Sequence, residues 1–167
     1  MLIKVQHEDF ELSLVSDYFK QCGTEIGAVV TFTGLVRDFQ HQPDDKERVE
    51  ALTLEHYPGM TESVLTQLAE DAKSRWSLNE VVIIHRVGTL YPGDNIVLVA
   101  TASAHRQDAF NGCQFIMDSL KTTAPFWKKE QTSHGARWVD AKQSDQSEVD
   151  KWLTQKVQKN TKDQKVN

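Results

Sequence analysis

Residues 80–100 read EVVIIHRVGTLYPGDNIVLVA and place two short apolar runs on either side of a turn. The runs 81–84 and 96–100 are rich in β-branched residues, which favours strands that are buried on both faces. Residues 91–95 carry proline, glycine, aspartate and asparagine, the residue types of tight turns. This stretch therefore predicts two strands that form a hairpin at the centre of the core.

Other segments repeat apolar residues at the spacing of strands or helices. Strands are predicted at residues 1–5, 26–36, 49–57, 126–131 and 138–139, and helices at residues 13–22, 61–76 and 104–122. Ser103 is expected to cap the last helix, which ends before Pro125 and has Phe110 in its apolar stripe. Gly27 marks a bend or a close approach of two backbones. Residues 38–48 are polar and aperiodic, and they predict a loop.

Composition limits the class of protein. The chain has 167 residues, 39% of them hydrophobic and 26% charged, which predicts one globular domain and excludes collagen-like and wholly disordered chains. The net charge of -5 argues against a nucleic-acid binder. No apolar run approaches the ~20 residues that span a bilayer. We therefore expect a cytoplasmic protein that binds neither nucleic acid nor membrane.

Several common kinds of site are missing from the sequence. Cys22 and Cys113 are far apart and not at metal-ligand spacing, so we expect two reduced packing residues and no metal. His56 and His85 form no recognisable triad with a serine or cysteine and are predicted to be structural. Nucleotide-binding, metalloprotease and common hydrolase signatures are also absent. Any sulfur chemistry would need sulfur from elsewhere.

The cations of the predicted 104–122 helix are unevenly placed. His105 and Arg106 fall in its first turn, where the helix dipole disfavours positive charge. A bound phosphate would offset this, because first-turn N–H groups, a guanidinium and an imidazole are complementary to an anion. Alternatively, both side chains point into solvent or pair with an acid such as Asp108.

A second group of cations follows the C-terminal end of this helix. Lys121 lies in the last turn, and Lys128 and Lys129 follow two large aromatic residues, where a lysine can become a better proton donor, acceptor or nucleophile. Exposed strand lysines are the alternative interpretation. Because His105 and Lys121 are sixteen residues apart, a straight helix separates them by about 24 Å. If one small ligand meets both ends, either the helix is broken or, as we favour, a second copy supplies His105 and Arg106.

Four motifs carry a resemblance to a known family. In chain order they are GAVVTFTGLVR (27–37), ALTLEHYPGM (51–60), SAHR (103–106) and FIMDSLKTTAPFWKKE (115–130). Together they resemble the large, catalytic subunits of molybdopterin synthase. The resemblance implies an α+β fold of the α/β hammerhead type, a single domain with mixed and antiparallel strands and two long helices. We expect this domain to cover residues 1–145, followed at 146–167 by a short helix and a lysine-rich, disordered tail.

The same resemblance implies a reaction and its partners. Members of this family form a homodimer, and a small ubiquitin-like sulfur carrier docks at each end to give a heterotetramer. The Gly-Gly thiocarboxylate at the C-terminus of the carrier delivers sulfur to cyclic pyranopterin monophosphate and forms the dithiolene of molybdopterin. No metal or other cofactor is expected in this subunit. The runner-up hypotheses are a transferase acting on another phosphorylated metabolite and a scaffold that binds a ubiquitin-like tail without chemistry.

The resemblance also implies roles for individual residues. Lys121 and Lys128 match the two active-site lysines, with Lys121 beside the terminal carbonyl of the carrier as general acid/base or charge stabiliser. Lys128 assists it and holds the substrate. The residues implied to bind substrate or line the pocket are Leu35, Val36, Arg37, His105, Arg106, Lys129 and Glu130, with His105 and Arg106 contributed by the second protomer. Thr123 departs from the family pattern, which has a basic residue there in many members.

Overall fold

The computed structural model describes residues 1–38, 48–139 and Trp152. The helices and strands of this part of the chain are, in order, β1 (Leu2–Gln6), α1 (Ser13–Lys20), β2 (Ala28–Leu35), β3 (Val49–His56), α2 (Met60–Arg75), β4 (Leu78–Arg86), β5 (Gly88–Leu90), β6 (Asn95–Ser103), α3 (Arg106–Thr123), β7 (Phe126–Thr132) and β8 (Gly135–Val139). No helix among the described residues is both long and apolar enough to cross a membrane.

The predicted central hairpin is confirmed. Strands β4 and β6 are antiparallel neighbours at the centre of a four-stranded sheet with the order β1-β4-β6-β2. Helices α2 and α3 cover one face of this first sheet, over Val81, Ile83 and Val99, and α1 covers the other, over Val82 and Ile84. Burial on both faces explains why these strands are continuously apolar.

A second sheet of four antiparallel strands has the order β5-β3-β7-β8. Its first strand, β5, lies in the connection between β4 and β6, so the hairpin loop also contributes to this sheet. Leu52, Leu54 and Leu90 form a small core with Val36, which directly follows β2. The fold is therefore α+β, as expected, and the described part of the chain forms two four-stranded sheets with helices α1, α2 and α3.

Helix α3 runs back along β6, antiparallel to it. The hydroxyl of Thr101 donates a hydrogen bond to the carbonyl of Ala109 at 2.7 Å. The predicted cap was wrong: Ser103 ends β6, its hydroxyl donates to the carbonyl of Ser77, and His105 is the N-cap. Phe110 was also misplaced, since it is 58% exposed beside the buried Ala109.

The C-terminal segment contributes one residue to the described core. The indole N–H of Trp152 donates to Asp118 Oδ2 at 3.0 Å, and its ring meets Trp76 edge-on. The core therefore extends past the predicted domain boundary at residue 145. Residues 39–47 of the predicted loop, and all of the predicted 146–167 helix and tail except Trp152, lie outside the described residues.

The close approach predicted at Gly27 is present and gives a testable result. A Cβ there would lie 2.4 Å from the carbonyl oxygen of Ala104, just before α3. We expect Gly27→Ala to lower the free energy of unfolding by about 1–3 kcal/mol, because backbone cannot move aside cheaply. In the control, Gly112→Ala, the Cβ would lie 2.7 Å from Cδ1 of Leu78, a side chain that can shift at less cost than backbone, and alanine favours a helix by about 1 kcal/mol over glycine. Urea unfolding of both variants tests this, and equal losses would contradict it.

Candidate active site

The first sheet fixes which candidate residues lie at the same end of the molecule. In the β2–β6 ladder, Ala28 pairs with Ser103 and Leu35 pairs with Asn95. Helix α3 runs back towards the Asn95 end, so Lys121 lies at the end of the sheet where β2 leads into Arg37. His105 and Arg106 lie at the opposite end.

The helix is continuous between these two groups of cations. It spans Arg106–Thr123 without interruption. At about 1.5 Å per residue, His105 and Lys121 are about 24 Å apart along the axis. The broken-helix alternative is therefore wrong, and one copy of the chain cannot bring both ends to one small ligand.

The second sheet adds Lys128 and Glu130 to this arrangement. Lys128 pairs with Leu54 and Glu130 with Leu52 in the β3–β7 ladder. Paired residues of a ladder point to the same face, so both charged side chains extend the face that packs against Val36. The N–H of Val36 donates to the carbonyl of Asp94 at 2.9 Å, which fixes the strand end that precedes the exposed Arg37.

Glu130 is the buried acid of the site. Its side chain is only 7% exposed and lies 3.0 Å from Lys128 Nζ and 3.6 Å from Arg137 Nη2. Two cations compensate one buried carboxylate, which holds the Lys128 ammonium against this face. Sequence reasoning missed Arg137, because the predicted strand began at residue 138. The ladder partner of Glu130 is Arg137, so a longer strand would have revealed it.

Lys129 lies on the opposite face of β7 from Lys128. Its Nζ lies 5.6 Å from the ring centroid of Trp138, a cation–π contact on the outer surface of the second sheet. Trp138 and Trp127, which are both more than half exposed, flank it on this face. The described chain therefore does not bring Lys129 together with Lys128, and its contact with substrate remains a prediction.

Two histidines lie where the sheets meet. The ring of His85, on β4, stacks on Phe126 with centroids 3.9 Å apart and planes 20° apart. Its Nδ1 lies 2.8 Å from the carbonyl of Arg86, and His56 is the ladder partner of Phe126. Burial lowers the pKa of His85 to about 4, so the ring is neutral at pH 7 and Nδ1 carries the proton that is donated to Arg86. The sequence offered no signal of this contact, since it joins residues 41 positions apart.

The lowered pKa of His85 predicts a loss of stability in acid. The unfolded chain binds this proton near pH 6.5 and the folded chain only near pH 4, so unfolding becomes easier as the pH falls through this window. Between pH 7 and 5 we expect His85 to contribute a loss of about 2 kcal/mol. Urea unfolding of the wild type and of His85→Phe at both pH values isolates this contribution. Equal pH dependence in the two proteins would contradict the assignment.

The candidate site combines cations with an apolar wall. Strand and helix directions place Arg37 and Lys121 at the same end of the first sheet, and Lys128 and Arg137 flank Glu130 on the second sheet. Such a group can hold a phosphate or carboxylate and stabilise negative charge as it develops. Within residues 1–38, 48–139 and 152, no three His, Cys, Asp or Glu side chains are grouped to hold a metal ion.

Comparisons with known proteins agree on one family. A family model described as MoaE protein matches residues 5–123. The molybdopterin synthase catalytic subunit of Escherichia coli (strain K12) is 57% identical over 128 residues, which cover 77% of this chain and 83% of that protein. The Yersinia pestis protein of the same name is 53% identical over 150 residues, or 90% and 96% of the two chains. Among solved structures, the molybdopterin biosynthesis MoaE protein from Burkholderia ambifaria MC40-6 has a TM-score of 0.76 at 47% identity, covering 90% of this chain and 97% of that one.

Proposed function

The chain belongs to the MoaE protein family, and from this premise we propose that it is the catalytic subunit of a molybdopterin synthase. The enzyme is a sulfurtransferase of molybdenum cofactor biosynthesis. The observation that carries this conclusion is the 53–57% identity to molybdopterin synthase catalytic subunits over 77–90% of the chain. Neither cysteine is suited to supply the sulfur: Cys113 is buried and burial raises its pKa to about 11, and Cys22 packs against the α1 side of the first sheet, where its thiol donates to the carbonyl of Tyr18.

The sulfur donor is a small ubiquitin-like carrier with a C-terminal Gly-Gly thiocarboxylate, and the acceptor is cyclic pyranopterin monophosphate. The name catalytic subunit, borne by the relatives, fits a chain that works with a second kind of subunit. Both substrates are anionic, which suits the cations around Arg37 and Lys128. Two cysteines without a disulfide suit a reducing compartment, so we place the enzyme in the cytoplasm.

Lys121 and Lys128 have different roles in the proposed reaction. Lys121, exposed at the end of α3, acts as general acid/base or stabilises charge as the carrier carbonyl becomes tetrahedral. Lys128 is held by the buried Glu130 and acts as a fixed ammonium that binds the phosphorylated pterin. Arg37 contributes a second contact to the phosphate. Leu35 and Val36 form the apolar wall beside these cations.

A second copy of the chain completes the site. Strand β2 is the edge of the first sheet and exposes Val29, Phe32 and Leu35, and α3 exposes Phe110. An apolar edge strand of this kind is a surface for association. A two-fold contact across β2 and α3 is antiparallel, so it brings His105 and Arg106 of one copy towards Lys121 of the other. With one carrier at each site, the assembly is a heterotetramer.

Reconstitution tests the function directly. Purified chain is mixed with thiocarboxylated carrier and cyclic pyranopterin monophosphate, and mass spectrometry follows the pterin. We expect each pterin to gain two sulfur atoms while two carrier thiocarboxylates become carboxylates. Carrier with an ordinary C-terminal carboxylate is the control and gives no product. Absence of the dithiolene with active carrier would refute the proposed function.

A further inference from the structure

The link between the two proposed catalytic lysines is short and crosses from one sheet layer to the other. Helix α3, which carries Lys121, packs on the first sheet, whereas Lys128 lies in the second sheet. The N–H of Phe126 donates to the carbonyl of Ala124 at 2.8 Å, closing a tight turn around Pro125. The separation of the two ammonium groups therefore depends on how this turn is held.

Phe126 is the side chain that holds the turn against the first sheet. Its ring lies flat on His85, with 3.9 Å between the centroids, and it also packs against the core under α2 and α3. On the second sheet it is paired with His56. Phe126 thus lies between a residue of each sheet, two positions before Lys128 and on the same face of β7.

His85 cannot easily change its orientation. It is 9% exposed, and its Nδ1 is 2.8 Å from the carbonyl of Arg86. This hydrogen bond fixes the plane of the ring, and the ring in turn fixes Phe126. An imidazole supplies both the flat surface and the N–H donor, which neither phenylalanine nor asparagine does alone.

We propose that His85 is a positioning residue for sulfur transfer: its ring holds Phe126, and with it the α3–β7 turn that sets the separation of Lys121 and Lys128. This inference rests on the proposed function, in which both lysines act at one site. The flat surface that stacks on Phe126 is the essential feature of His85. The hydrogen bond to the carbonyl of Arg86 fixes the orientation of the ring.

Steady-state kinetics of three variants test the proposal. We expect His85→Phe, which keeps the stack, to retain kcat within about 3-fold. His85→Ala and His85→Asn, which lose it, should lower kcat at least 10-fold with the KM for the pterin changed less than 3-fold. Assays are run where circular dichroism shows each variant fully folded. Wild-type kcat in folded His85→Ala, or equal losses in the Phe and Ala variants, would overturn the proposal.

Val82→Ala is the matched control for a merely structural effect. Val82 is fully buried on the same strand, but its side chain faces α1 on the other side of the sheet. This variant should lose stability through its cavity and keep the kcat of the wild type. If the kcat of Val82→Ala falls as much as that of His85→Ala, both effects result from a general loss of core packing. That outcome would overturn the positioning role.

A second measurement does not depend on turnover. A short amine-reactive cross-linker is applied to the carrier-free protein, and peptide mass spectrometry gives the yield of the Lys121–Lys128 link. We expect similar yields in the wild type and His85→Phe and at least a 3-fold lower yield in His85→Ala. If the wild type lacks synthase activity but shows this pattern, the function fails and the positioning role stands. An unchanged yield in His85→Ala overturns the positioning role whatever the activity.

Discussion

Replacement of Lys121 by alanine should abolish most turnover while the carrier still binds. The side chain lies at the exposed end of α3, where nothing in the described core depends on it, so the fold should be unaffected. A lysine that acts on the tetrahedral intermediate contributes about 100-fold or more to the rate. We therefore expect kcat to fall at least 100-fold in the reconstituted reaction, with the Kd for the carrier within about 3-fold of the wild-type value.

The control for this prediction is Lys20→Ala, which removes an exposed lysine from the last turn of another helix, α1. It should leave both kcat and carrier binding unchanged. The same experiment separates the alternative functions. A scaffold would show carrier binding but no turnover even in the wild type, and a transferase for another phosphorylated metabolite would act without the carrier. Retained turnover in Lys121→Ala would contradict its catalytic role.

The second large effect is expected at Glu130. Glu130→Gln removes the carboxylate that lies 3.0 Å from Lys128 and 3.6 Å from Arg137 and leaves two cations facing a buried amide. Breaking a buried pair costs about 3–5 kcal/mol, and because both cations are 42% exposed we expect a loss of about 2–3 kcal/mol. Turnover should fall as well, since Lys128 loses the group that fixes it.

Urea unfolding at pH 7 measures this loss, with Glu55→Gln as the matched control. Glu55 lies on the neighbouring strand β3 of the same sheet and is exposed. A substitution of an exposed surface acid should change stability by no more than about 0.5 kcal/mol. Equal stabilities of Glu130→Gln and Glu55→Gln would show that the buried carboxylate does not hold the two cations.

The sequence predicted the elements of this fold well where one physical signal dominates. The apolar runs on either side of Pro92 predicted the two central strands. The glycine near the start of the predicted strand at 26–36 predicted the close approach of two backbones at Gly27. The prediction for Phe110 was wrong because apolar periodicity does not distinguish a residue of the core face from an exposed apolar residue beside it. Ser103 is not the N-cap because it still belongs to β6 and α3 begins only at Arg106; its hydroxyl donates to the carbonyl of Ser77 and accepts from the N–H of His105.

The candidate site was less predictable, since its contacts join distant parts of the chain. The length of α3 was predicted from the periodicity of its apolar residues. That length correctly placed His105 and Lys121 at opposite ends of one helix. The burial of Glu130 between Lys128 and Arg137 depends on strand register, which the sequence did not give. Lys128 and Lys129 lie on opposite faces because successive side chains of a strand alternate, which the predicted strand at 126–131 already implied.

In the proposed dimer, each site combines Lys121 of one copy with Arg106 of the other, and mixed dimers of two variants distinguish this arrangement from a site within one chain. Lys121→Ala and Arg106→Ala should each be inactive as homodimers. In a purified mixed dimer of the two variants, one of the two sites regains both residues, so we predict about half of the wild-type turnover per dimer. An inactive mixed dimer would contradict the shared site, because each chain would then have to supply both residues to its own site.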